Sequence, residues 1–141
     1  MIKEKRTWKF FSWYTFSVVI VSCILNAAIW IALHGIPLTG LPERKDVESV
    51  TIVRNGTEER EITDDEDVEL LVKAANLLNY RFWGKKEGNS VIVVTYHLKS
   101  GADVTIEANS TTMWWKGKTH ALKETDIFVN IIQGLFFDME E

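Results

Sequence analysis

Hydrophobic and polar positions divide this chain into two regimes that meet near residue 42. From residue 10 to residue 36 most positions are Phe, Trp, Val, Ile, Leu or Ala, and residues 10–42 contain no Asp, Glu, Lys or Arg. A helix needs roughly 20 apolar residues to cross ~30 Å of hydrocarbon, so residues 10–36 predict one transmembrane helix. Beyond Glu43 the pattern changes to short alternations broken by turn residues, as in a small folded domain. Gly35, Pro37, Gly40 and Pro42 punctuate the passage between the two regimes, and residues 37–47 read as a linker.

Within residues 48–141 the alternation around Val50 and Ile52 predicts a strand over 48–54. Asn55-Gly56 supplies a hairpin turn, because both residues tolerate positive φ, and a short second strand follows over 59–62. Thr63-Asp64-Asp65-Glu66 has the form of a capping box with Thr63 as the cap. Val68, Leu71, Val72, Ala75 and Leu78 then recur at helical spacing, predicting a helix over 64–79. Residues 80–89 mix aromatic and basic side chains and read as a loop. Strands over 90–99 and 103–108 form a hairpin around Ser100-Gly101. Pairing residue 99 with 103 puts Ile92, Val94, Tyr96, Leu98, Val104, Ile106 and Ala108 on one apolar face. Val93, Thr95, His97, Lys99, Asp103, Thr105 and Glu107 then share the other, and a one-residue slip would mix the two sets. Two more strands, 111–116 and 119–123, meet at Gly117. A last helix begins near Thr125 with Phe128, Ile131, Ile132, Leu135 and Phe136 on one stripe, widened by Ile127, Val129 and Phe137. The expected fold class is α+β: one N-terminal transmembrane helix, then a domain of antiparallel sheet with two helices packed on one face.

Charge gives the span a direction. Lys3, Lys5, Arg6 and Lys9 precede it against Glu4 alone, and basic flanks stay on the cytoplasmic side. Trp8, Trp13, Tyr14 and Trp30 suit the interfacial aromatic belts. The expectation is a single-pass cell-membrane protein with residues 1–9 in the cytoplasm and residues 48–141 outside. Residues 43–141 hold 19 acidic and 12 basic side chains, an acidic balance that argues against nucleic acid as a partner. Cys23 is the single cysteine, so an intrachain disulfide is excluded. Ile20-Val21-Ser22-Cys23 also has the form of a lipobox, which makes a lipoprotein anchored at Cys23 the alternative; the sequence after Cys23 stays apolar, which favours the uncleaved anchor.

Candidate chemistry is sparse. The chain shows no nucleophile motif, no HExxH and no Gly-rich phosphate loop, so neither catalysis, a metal nor a cofactor is expected. The acidic run from Glu58 to Glu69 is read as stabilising a helix N-terminus, since it lacks the ligand spacing of a calcium loop. His97 and His120, with Asp103 and Glu107 near His97, define a remote alternative, an envelope hydrolase. The aromatics say more. Trp114 and Trp115 are adjacent in a strand and must face opposite ways. One of them either joins an exposed surface or is buried under the loop that starts at Tyr80. The candidate binding surface comprises Tyr80, Arg81, Trp83, Lys85, Lys86, Trp114, Trp115, Lys116 and Lys118, suited to a sugar, a peptide or a partner protein. In the span, Ser22, Asn26, Ala28 and Ala32 offer a polar handle and small residues for contact with another helix.

The Cys-poor acidic domain, the Asp/Glu-led helix after a first hairpin, and Trp115-Lys116-Gly117-Lys118 ahead of the final helix resemble the small membrane-anchored extracytoplasmic domains of unknown function found in Gram-positive bacteria. That resemblance implies a sensor, a self-immunity factor or an accessory subunit, and no set of functional residues. The functional expectation is an anchored, non-catalytic module that binds a peptide, a protein or a cell-envelope component. The alternative is an accessory or regulatory subunit whose transmembrane helix packs in a larger complex.

Overall fold

The computed structural model describes residues 2–84 and 86–138, with side chains from residue 12 onward. The chain divides into two units between Gly35 and Ile36. The first is helix α1 (Ile2–His34), of which Ser12–His34 is long and apolar enough to cross a membrane. At 1.5 Å per residue those 23 residues reach roughly 34 Å. Polar side chains within this stretch turn back onto the helix: Ser17 Oγ donates to the Trp13 carbonyl at 3.0 Å, and Asn26 Nδ2 to the Ser22 carbonyl at 2.8 Å. Such internal satisfaction is what a hydrocarbon environment demands of a polar group. The helix already runs through the basic tail rather than beginning at residue 10. It ends at His34, two residues early, because Gly35 takes a positive φ of 77°.

The second unit is an eight-stranded antiparallel sheet with two helices. Its strands are β1 (Ile36–Pro37), β2 (Val47–Arg54), β3 (Glu58–Ile62), β4 (Asn79–Arg81), β5 (Ile92–Leu98), β6 (Asp103–Ala108), β7 (Thr112–Trp115) and β8 (Lys118–Leu122). They lie in the order β1-β4-β8-β7-β6-β5-β2-β3. Helices α2 (Asp65–Asn76) and α3 (Ile127–Phe136) pack together on one face. There Val68, Leu71, Ala75, Phe128 and Ile132 are buried with Val50, Ile52, Ile92, Val94, Tyr96 and Ile106. The Tyr96 hydroxyl donates to the Leu71 carbonyl at 2.6 Å, joining sheet to helix inside the core, and burial pushes this phenol well above its ordinary pKa.

Several local expectations shift. The supposed linker belongs to the domain: β1 pairs with β4, Leu38 and Val47 are buried, and residues 44–46 form a turn of 3₁₀ helix. Arg44 fixes that turn by donating to the Val47 carbonyl at 2.9 Å and pairing with Asp65. The cap of α2 is Asp64 rather than Thr63. Its carboxylate accepts the amides of Glu66 at 3.2 Å and Asp67 at 3.4 Å, adding negative charge where the helix dipole favours it. The 80–89 stretch begins as a strand, because Tyr80 and Arg81 find partners in Leu122 and Ala121. In the β5–β6 hairpin His97, not residue 99, stands opposite Asp103. This shift of two keeps the parity, so both predicted faces survive.

The C-terminal end of α3 docks through Phe137, which is buried with the guanidinium carbon of Arg54 4.5 Å and that of Arg60 5.8 Å from its ring centre. Arg54 is further held by Glu58 at 2.6 Å and Asp138 at 3.1 Å. The two edges of the sheet are blunt. β3 carries Glu58, Glu59 and Glu61, and β1 is two residues long and contains Pro37.

The cap assignment is open to a direct check in the fragment 36–141, which contains every residue of the core. Asp64→Ala should lower unfolding free energy by about 1 kcal/mol, while Thr63→Ala should stay within ~0.5 kcal/mol. Urea melts showing the larger loss at Thr63 would return the cap to that residue.

Candidate functional site

The face of the sheet opposite the helices is polar. Cross-strand pairing aligns Thr51 with Thr95 and Thr95 with Thr105, Ser49 with His97 and His97 with Asp103, and Val93 with Glu107, Glu107 with Trp114 and Trp114 with Thr119. All these side chains therefore project on the same side.

Part of this face is covered by the chain itself. Between β4 and β5 the backbone passes over the β7–β8 end of the sheet. Gly84, at a φ of 133°, comes so close that a Cβ there would stand 2.9 Å from the Ala121 Cβ. Further on, Glu87 donates its amide to Thr112 Oγ1 at 3.1 Å. Asn109 clamps the crossing. Its Nδ2 donates to the carbonyls of Glu87 at 2.8 Å and Asn89 at 3.2 Å, and its Oδ1 accepts the amides of Thr111 at 2.9 Å and Thr112 at 2.7 Å. Asn109, Thr112 and Ala121 are buried in consequence. Asn109 lies outside the candidate surface named from the sequence. An Asn before a short turn that uses its side chain to bond the backbone two and three residues on is the signal that identifies this role.

The nine residues of the candidate surface do not form one patch. Trp115 is 6% exposed and lies in the core, on the helix side of the sheet. Tyr80 and Lys118 share its side of the sheet, by the pairs Tyr80 with Leu122 and Trp115 with Lys118. Trp114 lies half-buried on the opposite face, Arg81 is on that side too and donates to the Lys123 carbonyl at 3.3 Å, and Trp83 (56% exposed) and Lys86 stand in the crossing loop. Lys85 lies outside the described residues. Phe82, 70% exposed beside Trp83, belongs with the loop aromatics. Around Trp114 opens a hollow of about 420 Å³ lined by Asp103, Thr105, Glu107, Lys116 and Gly117.

The two histidines are separated by the sheet. His97 lies on the polar face with Nδ1 2.8 Å from Asp103 Oδ1 and Nε2 2.7 Å from Thr51 Oγ1. His120 pairs with Met113 on the helix side, its ring 4.3 Å from that of Tyr80. They cannot act on one substrate atom. The line Thr51–His97–Asp103 has the order of a hydroxyl, a base and an orienting carboxylate. However, the three stand side by side across β2, β5 and β6, and Thr51 and His97 do not line the hollow that Asp103 borders. No group of three or more metal-binding side chains occurs among the described residues.

A second concavity, of about 340 Å³, lies in the helix layer between α2 and α3. It is lined mainly by Leu77, Leu78, Leu122, Ile127, Phe128 and Ile131. Leu77 is 57% and Ile127 43% exposed. Ile127 is legible in the sequence as a residue outside the main stripe of the last helix, whereas Leu77, at the end of α2, carries no such signal. In comparisons with known proteins, no family model, no curated protein and no solved structure matches this chain.

Two measurements check this geometry. Trp115→Ala should cost roughly 3–5 kcal/mol in denaturant melts, whereas Trp83→Ala should change stability by no more than ~0.5 kcal/mol; similar losses at both would contradict their placement on core and surface. His120 titrates below its ordinary value of 6.5, first because burial disfavours the imidazolium and then because Lys86 and Lys118 repel it. The unfolded chain therefore takes up this proton first as pH falls. Stability is untouched above pH 6.5 and declines through the window beneath it, and His120→Gln should flatten that part of the decline in melts taken at successive pH values.

Proposed function

We propose that this chain is a single-pass membrane protein whose domain stands outside the cytoplasm and binds a peptide, a protein or a cell-envelope component without catalysis. The observation that carries this reading is Trp114: an indole left partly uncovered beside an open hollow, in a domain that buries Trp115 and clamps a loop over the neighbouring strands. Exposed aromatic groups of this kind are enriched where proteins meet ligands and partners. Phe82 and Trp83 on the crossing loop extend the aromatic surface. The long apolar helix supports the membrane anchor, and the basic residues before it support the orientation.

A second reading, an accessory subunit of a membrane complex, is favoured by the apolar groove between α2 and α3, where Leu77 and Ile127 remain exposed. In α1 the Asn26 amide already donates to the Ser22 carbonyl, so a partner helix would use its remaining polar capacity.

The test places a photo-crosslinking residue at Trp83 or Thr119 in cells that make the protein naturally, with Lys73 on α2 as the comparison site. Protease added outside wall-stripped cells should first remove residues 36–141, confirming the orientation. Adducts should then form from positions 83 and 119 and disappear when Trp114→Ala is added. Adducts from position 73 alone would favour the accessory-subunit reading instead.

A further inference from the structure

β6 and β7 are joined through only two residue pairs, Glu107 with Trp114 and Ala108 with Met113. Beyond Glu107 the strands part, and the 420 Å³ hollow opens where they do. Its volume falls in the range of small-molecule sites, roughly 300–1,000 Å³. Along one wall Asp103, Thr105 and Glu107 alternate on β6, placing a carboxylate, a hydroxyl and a carboxylate at steps of about 7 Å. Trp114 stands across from Glu107, and Lys116 borders the far end.

These groups are partly preset. Asp103 accepts from or pairs with His97 at 2.8 Å, and the other nitrogen of that ring meets Thr51 at 2.7 Å. Thr105 Oγ1 lies 3.3 Å from Thr95 Oγ1. Asp103 and Thr105 are thus braced by a second row on β5 and β2, which reduces the ordering cost of binding at those two side chains.

A complementary ligand must lay an apolar face on an indole and offer several hydroxyl donors to a row of acceptors. A pyranose ring does both, with C–H groups on its face and hydroxyls around its rim, and each carboxylate oxygen pair accepts more than one hydroxyl. Phosphate-rich ligands would meet repulsion from Asp103 and Glu107, and a peptide would bring fewer hydroxyl donors to this row of acceptors than a sugar does. Resting on the reading of this domain as a binding module, we infer that the hollow is a glycan subsite. It takes a neutral or N-acetylated pyranose unit of a polysaccharide, stacked on Trp114 and hydrogen-bonded by Asp103, Thr105 and Glu107.

The full chain in phosphatidylcholine nanodiscs should be titrated with four tetrasaccharides under saturation-transfer NMR: β-1,4-linked N-acetylglucosamine, β-1,4-linked glucose, β-1,3-linked glucose and α-1,4-linked glucose. Saturable binding to at least one is expected, with the strongest transfer on ring C–H protons. Trp114→Ala should weaken it by roughly tenfold or more. Glu107→Gln, a surface change that leaves the fold intact, should weaken it by about threefold or more. Leu77→Ala, on the opposite side of the sheet, should leave it unchanged. The assignment is overturned if none of the four binds, or if binding survives both Trp114→Ala and Glu107→Gln. Where no tetrasaccharide binds but positions 83 and 119 still crosslink a protein in a Trp114-dependent way, the glycan assignment falls and the binding module stands. Absence of both signals removes both.

Discussion

The strand order forces the chain leaving β4 to travel past β8, β7 and β6 before it can pair again as β5. A crossing of that length must lie on one face of the sheet, and the helices already occupy the other. Residues 82–84 and 86–91 therefore run over the polar face, where their backbone groups need partners. Asn109 supplies them, with two donors for the loop carbonyls and an acceptor for its own turn. This single amide fixes how far the loop advances, and so fixes which part of the polar face stays open. Thr112 and Ala121 fall beneath the crossing; Trp114, two residues along from Thr112, does not.

The two faces differ in what covers them. On the helix side nearly all the large apolar residues meet, and the Tyr96 hydroxyl that enters among them is bonded inside it. On the other side no large hydrophobic layer forms, so side chains there can be chosen for what they contact outside the protein. Adjacent residues with the same chemistry accordingly have opposite fates. Trp115 packs in the core, while Trp114 is left at the rim of a hollow.

Parity was the most legible feature of the sequence. The alternation from Ile92 to Leu98 and from Asp103 to Ala108 specifies which side chains share a face, and that assignment holds although the hairpin pairs two residues away from the expected register. The opposite orientations of Trp114 and Trp115 follow from the same rule. Pairing between distant segments was far less legible. Two-residue β1 and three-residue β4 are too short to show a period, and they are strands because each finds a neighbour in space. The candidate surface disperses for that reason: the sequence groups Tyr80 with the loop that follows it, but pairing with Leu122 commits it to the helix side. The contact of His97 with Thr51 was equally hidden, since it depends on β2 lying beside β5 across 46 residues of sequence.

Both margins of the sheet are closed to further strands, one by the glutamates of β3 and the other by the brevity and proline of β1. An open margin would let copies of one domain zip into ribbons through backbone hydrogen bonds. Here a neighbour approaching the β3 margin meets like charge, and one approaching β1 finds almost no backbone to pair with. Neither margin therefore offers a ready template for strand pairing between copies, so any contact between them would have to use the faces of the sheet or the helices.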